Sequence, residues 1–142
     1  EAFVDGEASA CGRALAEALL AADPGVEVWG GEPTVVLPPR PGRGGRAQTL
    51  ALSAARVLAG HPGVLLLAAG TDGTDGPTED AGALVDGGTI ARGGRDGLDP
   101  LACLRGADAG TFLAASGDLI HTGPTGTNVM DLMVGLKAVP ER

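Results

Sequence analysis

Aromatic side chains are almost missing from this sequence: Phe3, Trp29 and Phe112 make up 2% of it, and Tyr is absent. A core must therefore be assembled from Leu, Val, Ile and Ala, whose shapes suit closely layered sheet and helix. Clusters of positive charge are missing as well. The formal net charge is -8, and no run of Lys and Arg with interleaved aromatics offsets it. That excludes recognition of a nucleic-acid phosphate backbone and leaves a solvated acidic surface. No apolar run approaches the roughly 18 residues of a membrane span. The N-terminus also lacks the basic start and apolar centre of a secretory signal, so a cytoplasmic protein without a membrane partner is expected. Cysteine is limited to Cys11 and Cys103. Neither has metal-ligand spacing, and each sits among Ala and Leu, where a small buried hydrophobe is the expected role.

What the chain has in quantity is glycine and proline, 25 and 10 residues. That is too many for a helical bundle, and they fall between apolar runs instead of in a repeat or a low-complexity tract. Loops are therefore numerous and shaped. The length of 142 residues allows one domain with a real core and a leading segment, and is too short for two. The start at Glu1 instead of Met points to a processed product, a trimmed chain or one piece of a longer polypeptide.

Residues 69–82 carry the densest chemistry. The run Val64-Leu65-Leu66-Leu67 ends in Gly70-Thr71-Asp72-Gly73-Thr74-Asp75-Gly76-Pro77-Thr78, so two carboxylates and closely spaced glycines stand at the carboxyl end of a strand. Open α/β sheets bind ligands at that end, and glycine lets backbone N–H groups approach a ligand. Ordinary turns also favour Asp-Gly, but two such dipeptides in five residues with threonines between them favour a functional loop.

Upstream, the spacing of Ala10, Ala14, Leu15, Ala18 and Leu19 predicts a helix over residues 6–22, with Asp5 near its start and Asp23-Pro24-Gly25 ending it. Val26 to Trp29 and Thr34 to Leu37 alternate as strands. Joined by Gly30-Gly31-Glu32, they could form a hairpin. Pro38 to Gly45 is a loop carrying Arg40, Arg43 and Arg46 that runs into a helix over residues 47–58. Glycines and arginines before a helix N-terminus suit an anion, because the first-turn N–H groups are unpaired and the dipole favours negative charge. The spacing is not that of a P-loop. This helix lies between two strands, as a crossover does.

Downstream, Gly82 to Val85 reads as a strand and Thr89 to Arg92 as a brief helix. Asp99-Pro100 reads as cap and first-turn proline of a helix to Leu104, and Asp108 opens another to Ala115. Leu119-Ile120-His121 leads into Thr122-Gly123-Pro124-Thr125-Gly126-Thr127-Asn128, where hydroxyls, backbone N–H groups and an amide could cradle a phosphate or a small hydroxy acid. His121 could act as a base, although a lone His at a strand end is more often structural. Met130 to Leu136 is read as the final strand. The fold class expected is α/β, a three-layer-like domain with a mixed sheet flanked by helices. The Asp, Arg and Thr-Asn loops are expected to converge on one edge.

Taken in order and spacing, Gly30-Gly31-Glu32, Gly42-Arg43-Gly44-Gly45-Arg46, residues 70–78 and residues 122–128 resemble the C-terminal MOFRL domain of the glycerate 2-kinase family, which older naming calls hydroxypyruvate reductase. The resemblance spans Val26 to Leu136. Residues 1–25 resemble the closing helix of a preceding domain, and residues 26–142 the MOFRL-like domain itself. It implies a two-domain kinase that phosphorylates D-glycerate at the 2-hydroxyl with ATP and Mg²⁺, in a cleft between domains. The N-terminal kinase domain, with a Lys that takes part in catalysis in the family, is not in this chain, so the fragment alone is expected to be inactive.

Carried over by position, Arg46, Asp72 and Asp75 would be catalytic, with Asp72 and Asp75 also holding metal. Gly31 and Glu32 from the first loop, and Arg43, Gly44 and Gly45 from the second, would bind substrate or phosphate. Thr71 and Thr78, then Thr122, Gly123, Thr125 and Asn128, would line the same cleft. One departure stands out: Gly44-Gly45-Arg46-Ala47-Gln48-Thr49 replaces the usual Gly-Gly-Arg-Asn-x-Glu, losing an amide and a carboxylate. Two other functions stay open, a stand-alone module binding a small anion and a hydroxypyruvate reductase. A reductase would need a dinucleotide fingerprint, and no Gly-x-Gly-x-x-Gly follows a strand here with an acid about twenty residues on.

Overall fold

In the computed structural model, which describes residues 3–141, the chain runs α1 (Ala8–Ala21), β1 (Gly25–Gly31), α2 (Arg46–Leu58), β2 (Val64–Gly70), β3 (Gly82–Asp86), α3 (Thr89–Gly94), α4 (Pro100–Arg105), α5 (Ala109–Ser116), β4 (Leu119–Ile120) and β5 (Asp131–Lys137). The strands form one sheet in the order β1-β5-β2-β3-β4, and every ladder between named strands is antiparallel. Among the described residues, parallel pairing occurs only as isolated bridges, Val4 with Gly31 and Glu7 with Thr34. Because β5 lies antiparallel between β1 and β2, those two strands point the same way. The helix between them, α2, is the crossover its position predicts.

Strand alternation sorts the sheet into two unlike faces. Val64, Leu66 and Ala68 of β2, Met133 of β5 and Ala83 and Val85 of β3 are buried and share a core with α1, α2 and α5. α2 sits at its centre: Leu50, Leu52 and Leu58 are fully buried, each stabilising the fold by about 1.5–3 kcal/mol. α1 joins the same core. A Cβ on Gly12 would lie 2.2 Å from the Leu50 carbonyl oxygen, so only glycine permits this close crossing of α1 and α2. Lys137 Nζ donates to the carbonyls of Leu20 (2.6 Å) and Ala22 (2.7 Å), tying the end of α1 to β5.

The other face is the row Val28, Val134, Leu67, Leu84 and the neighbouring Val26, Leu136, Leu65. Val26 is 61% and Val28 58% exposed, and Leu84, Leu132 and Leu136 also face solvent. The α/β class with one helix-flanked sheet is as expected, but the sheet is antiparallel in every ladder between named strands, not mixed, because β5 inserts between the like-pointing β1 and β2. The helices supply one flanking layer, and the described residues do not supply a second.

Two local expectations change. Thr34 to Leu37 is not a strand and no hairpin forms. Gly30 and Gly31 carry β1 on to pair with Leu132 and Asp131, and Pro33 has no N–H with which to continue a ladder. The cap of α1 is Glu7, not Asp5: its carboxylate accepts from Ser9 N (2.9 Å) and Ala10 N (2.7 Å). Asp99 caps α4 through Leu101 N at 3.1 Å, with Pro100 in the first turn, as predicted.

Candidate functional site

Three strand ends meet in one cross-strand row: β1 ends at Gly31, β5 begins at Asp131 and β2 ends at Gly70, with Gly31 opposite Asp131 and Asp131 opposite Gly70. The loops that leave this row are the ones singled out for chemistry, and α2 starts beside it. The convergence arises because β5 inserts between β1 and β2, which brings the Thr-Asn loop to the mouth of the Arg and Asp loops.

Arg46, the first residue of α2, reaches across to Asp131 with a two-pronged grip. Its Nε donates to Asp131 Oδ2 at 2.7 Å and its Nη2 to Oδ1 at 3.2 Å, while Nη1 donates to Glu32 Oε1 at 3.2 Å. The side chain of Asp131 is 5% exposed and that of Glu32 52%. The bond to Asp131 raises the Arg46 pKa above its ordinary value. Burial pushes the Asp131 carboxyl up, against the opposing pull of Arg46. Both shifts can hold together, because the guanidinium keeps its charge in any case and desolvation is the larger effect on the carboxyl.

The structure gives Asp75 a task other than the metal-binding one expected. Its Oδ1 accepts from Ala47 N at 2.9 Å and its Oδ2 from Gln48 N at 2.8 Å. A residue from a distant loop thus caps α2, and the anion site expected at that helix N-terminus is filled by the chain's own carboxylate. Gly45 makes this possible: a Cβ there would lie 2.4 Å from Asp75 Oδ1. Asp75 is 4% exposed, and burial raises its pKa to about 6 despite the two N–H bonds. Thr78 belongs to the same knot, its hydroxyl donating to the Asp75 carbonyl at 2.8 Å and accepting from Gln48 Nε2 at 2.9 Å.

Asp72 stands nearer solvent. Its Oδ1 accepts from Thr74 N (3.0 Å) and Thr74 Oγ1 (3.2 Å). The threonines expected to cradle a ligand instead stitch two loops together. Thr71 Oγ1 donates to the Met130 carbonyl (2.7 Å) and accepts from Val129 N (2.8 Å), Thr125 N donates to the Asp72 carbonyl (3.2 Å), and Thr125 Oγ1 donates to the Thr71 carbonyl. Asn128 Oδ1 accepts from Met130 N at 3.1 Å. That closed turn holds Met130 at φ +70°, a left-handed conformation costing about 1–3 kcal/mol, immediately before Asp131. Thr122 donates to the neighbouring Gly123 carbonyl at 2.8 Å.

Arg43 is not part of the Arg46 cluster. Its Nη2 pairs with Asp80 Oδ2 at 2.9 Å, and His121 Nδ1 lies 3.9 Å from the other oxygen of Asp80. Two hollows flank the Asp loop. One of about 250 Å³ is lined by Gly44, Gly45, Arg46, Thr49, Gly76 and Pro77, among others. The other, about 290 Å³, is lined by Thr74, Thr78, Glu79, His121 and Gly123, among others. A hollow of about 540 Å³ near His61 and Arg92 lies at the opposite end of the sheet, remote from these loops. Among the described residues no group of three or more His, Cys, Asp or Glu is gathered as a metal cage, and no helix is long and apolar enough to cross a membrane.

The sequence reading overlooked Asp131 and Asp80. For Asp131 a signal existed. Counting back by twos from Gly135 and Met133 puts it on the buried face of β5, where an acid needs a cation.

The MOFRL family pattern matches residues 25–131 of this chain. The chain belongs to the MOFRL family. It is 53% identical over 113 residues to D-glycerate 2-kinase of Thermotoga maritima, and 42% identical over 113 residues to glycerate 2-kinase of Pyrococcus horikoshii. These matches cover 80% of this chain and 27% and 26% of the two relatives. A relative from Agrobacterium vitis carries hydroxypyruvate reductase in its name. The crystal structure of the Thermotoga maritima glycerate kinase superposes with a TM-score of 0.92 at 44% identity, over 96% of this chain and 34% of that one. The MOFRL domain described here thus spans between about a fifth and a third of the proteins it matches.

Proposed function

We propose that this MOFRL domain is the C-terminal part of a glycerate 2-kinase, contributing substrate and phosphate contacts to ATP-dependent phosphorylation of D-glycerate at its 2-hydroxyl, in the cytoplasm. Turnover then requires the domain that precedes this stretch in the longer relatives. The observation that carries the reading is Arg46, a guanidinium held at the meeting point of three loops in a chain whose relatives are named as glycerate 2-kinases.

Phosphoryl transfer calls for positioning and charge neutralisation more than covalent chemistry. Arg46 offers a planar donor edge suited to the carboxylate of the substrate or to the transferring phosphoryl group. With the α2 N-terminus filled by Asp75, anion recognition falls to Arg46 and the loop backbones instead of the helix dipole. The bonds from Thr71 and Thr125 keep those loops in register, and Asn128 fixes the turn that delivers Asp131. Asp72 is the carboxylate that fits Mg²⁺, an ion that keeps several waters and is held by one or two carboxylates plus substrate phosphates without a full protein cage. When bound with ATP, the metal neutralises charge on the phosphates.

The test is to supply the whole enzyme with D-glycerate and Mg²⁺-ATP and to identify the product as 2-phosphoglycerate by phosphorus NMR. Arg46→Ala is expected to lower turnover by about 10²–10³-fold and also to lower the melting temperature, because it leaves the buried Asp131 without its cation, so turnover is compared at a temperature where both proteins are folded. Unchanged turnover would remove Arg46 from the site. A second reading, a module that binds a small anion without catalysis, is favoured by Ala47 and Thr49. Both are buried, and Thr49 Oγ1 donates back to the Gly45 carbonyl at 2.8 Å, so neither replaces the amide and carboxylate usual in the family. Saturable glycerate binding without turnover by the whole enzyme would select it. Oxidation of NAD(P)H with hydroxypyruvate would select a reductase.

A further inference from the structure

The three bonds that hold Arg46 are unequal, and the inequality has a functional meaning. Asp131 is the first residue of β5, laddered on one side to β1 and on the other to β2, and its neighbours in the row, Gly31 and Gly70, carry no side chains. It grips the Nε and Nη2 edge of the guanidinium at 2.7 and 3.2 Å and is almost fully buried. It has no room to leave. Glu32 is the first residue beyond β1 and is half exposed. It holds Nη1 by a single 3.2 Å contact, of the kind that water and salt weaken readily. Arginine has five N–H donors, so these bonds leave one N–H on Nη1 and one on Nη2 for an incoming anion on the solvent side.

We propose that Asp131 is the positioning residue for Arg46, and that Glu32 is a resident counter-ion which the carboxylate of the substrate displaces. The proposal rests on the functional reading above, in which Arg46 meets that carboxylate. Glu32 is chemically apt as a placeholder, because its side chain presents the same group as a hydroxy acid. It keeps the guanidinium compensated while the site is empty, and its departure leaves the donor edge aligned by Asp131. The ordering of Arg46 is then complete before the substrate arrives.

The test uses the whole enzyme, comparing wild type with Asp131→Asn, Glu32→Gln and Arg46→Ala by steady-state kinetics, and by calorimetric titration of D-glycerate. Glu32→Gln removes the competing charge, so KM for D-glycerate is expected to fall by about two- to fivefold. Asp131→Asn keeps the shape but loses the ionic fork. A drop in kcat of at least about tenfold and a weaker affinity are expected, read at a temperature well below the melting curve of either protein. Because Asp131 acts through Arg46, adding Asp131→Asn to Arg46→Ala should cost nothing further in glycerate affinity. A rise in KM in Glu32→Gln would mean that Glu32 binds substrate directly, and would overturn the placeholder role. Wild-type kinetics in Asp131→Asn, or full additivity in the double variant, would overturn the positioning role. If wild type itself does not phosphorylate D-glycerate, the functional reading falls and this proposal with it, an outcome distinct from failure in the variants alone.

Discussion

Asp75 makes stability depend on pH in a direction opposite to that of most paired carboxylates. Its ordinary pKa of 3.8 rises to about 6 in the fold, with burial as the main cause. An acid whose pKa is raised on folding favours the folded state in its protonated form. Its contribution is therefore fully present below pH 3.8 and is lost as the pH climbs through about 6. The interval from 3.8 to about 6 is worth about 3 kcal/mol, or a decrease in melting temperature of roughly 10 °C for a domain of this size. The comparison that isolates it is Asp75→Asn. Asparagine accepts only one of the two bonds from Ala47 and Gln48, which lowers stability by a constant amount at every pH, so the diagnostic is the slope and not the offset. Wild type should lose stability relative to Asp75→Asn between pH 4 and pH 7, measured by urea unfolding of the chain at fixed ionic strength. Asp131, also raised by burial, titrates in both proteins, and its charge adds a lesser part of the rise at Asp75. Parallel curves for the two proteins would refute the argument, and with it the account of Asp75 as a buried cap.

Two further outcomes follow from close contacts. Gly45→Ala places a Cβ 2.4 Å from Asp75 Oδ1, so the cap must move off α2. A loss of about 2–4 kcal/mol is expected in denaturant unfolding, with Gly30→Ala, where a Cβ meets open space and φ is not positive, as the control for the added methyl group alone. Lys137→Met keeps the aliphatic stem and removes the ammonium from the Leu20 and Ala22 carbonyls. It should lower stability by about 1–2 kcal/mol and raise hydrogen exchange at the C-terminal turn of α1 more than in β2.

The helices and most strands were legible because their signals are local. The apolar spacing of α1 and α2, the Asp99-Pro100 start of α4 and the apolar run of β2 each depend on residues within a turn or two. What was hidden depended on pairing at a distance. Nothing local says that β1 will take β5 as its partner instead of Thr34 to Leu37, since Gly30-Gly31 serves a turn and a strand end equally well. Asp75 was read as a ligand-facing acid because Asp-Gly at a strand end looks the same whether the carboxylate turns outward to a ligand or inward to the first turn of α2. Gly45 is the residue that decides this, and its role appears only when the two loops are superimposed in space. The convergence of the Arg, Asp and Thr-Asn loops is legible in the sequence, whereas the acid that holds Arg46 is not, because Asp131 falls inside the strand read over Met130 to Leu136 and its partner comes from a distant loop.

Val26, Val28 and Leu84 stand on the sheet face that the helices leave bare. A side chain contributes hydrophobic stabilisation in proportion to the area it removes from water, and these residues remove little. Within this chain alone, Thr or Lys at Val26 or Val28 would cost its folding almost nothing and would raise its solubility. The apolar character of that face is therefore not maintained by the stability of the fold. Sequence drift there would go unnoticed by a selection that asked only whether the domain folds.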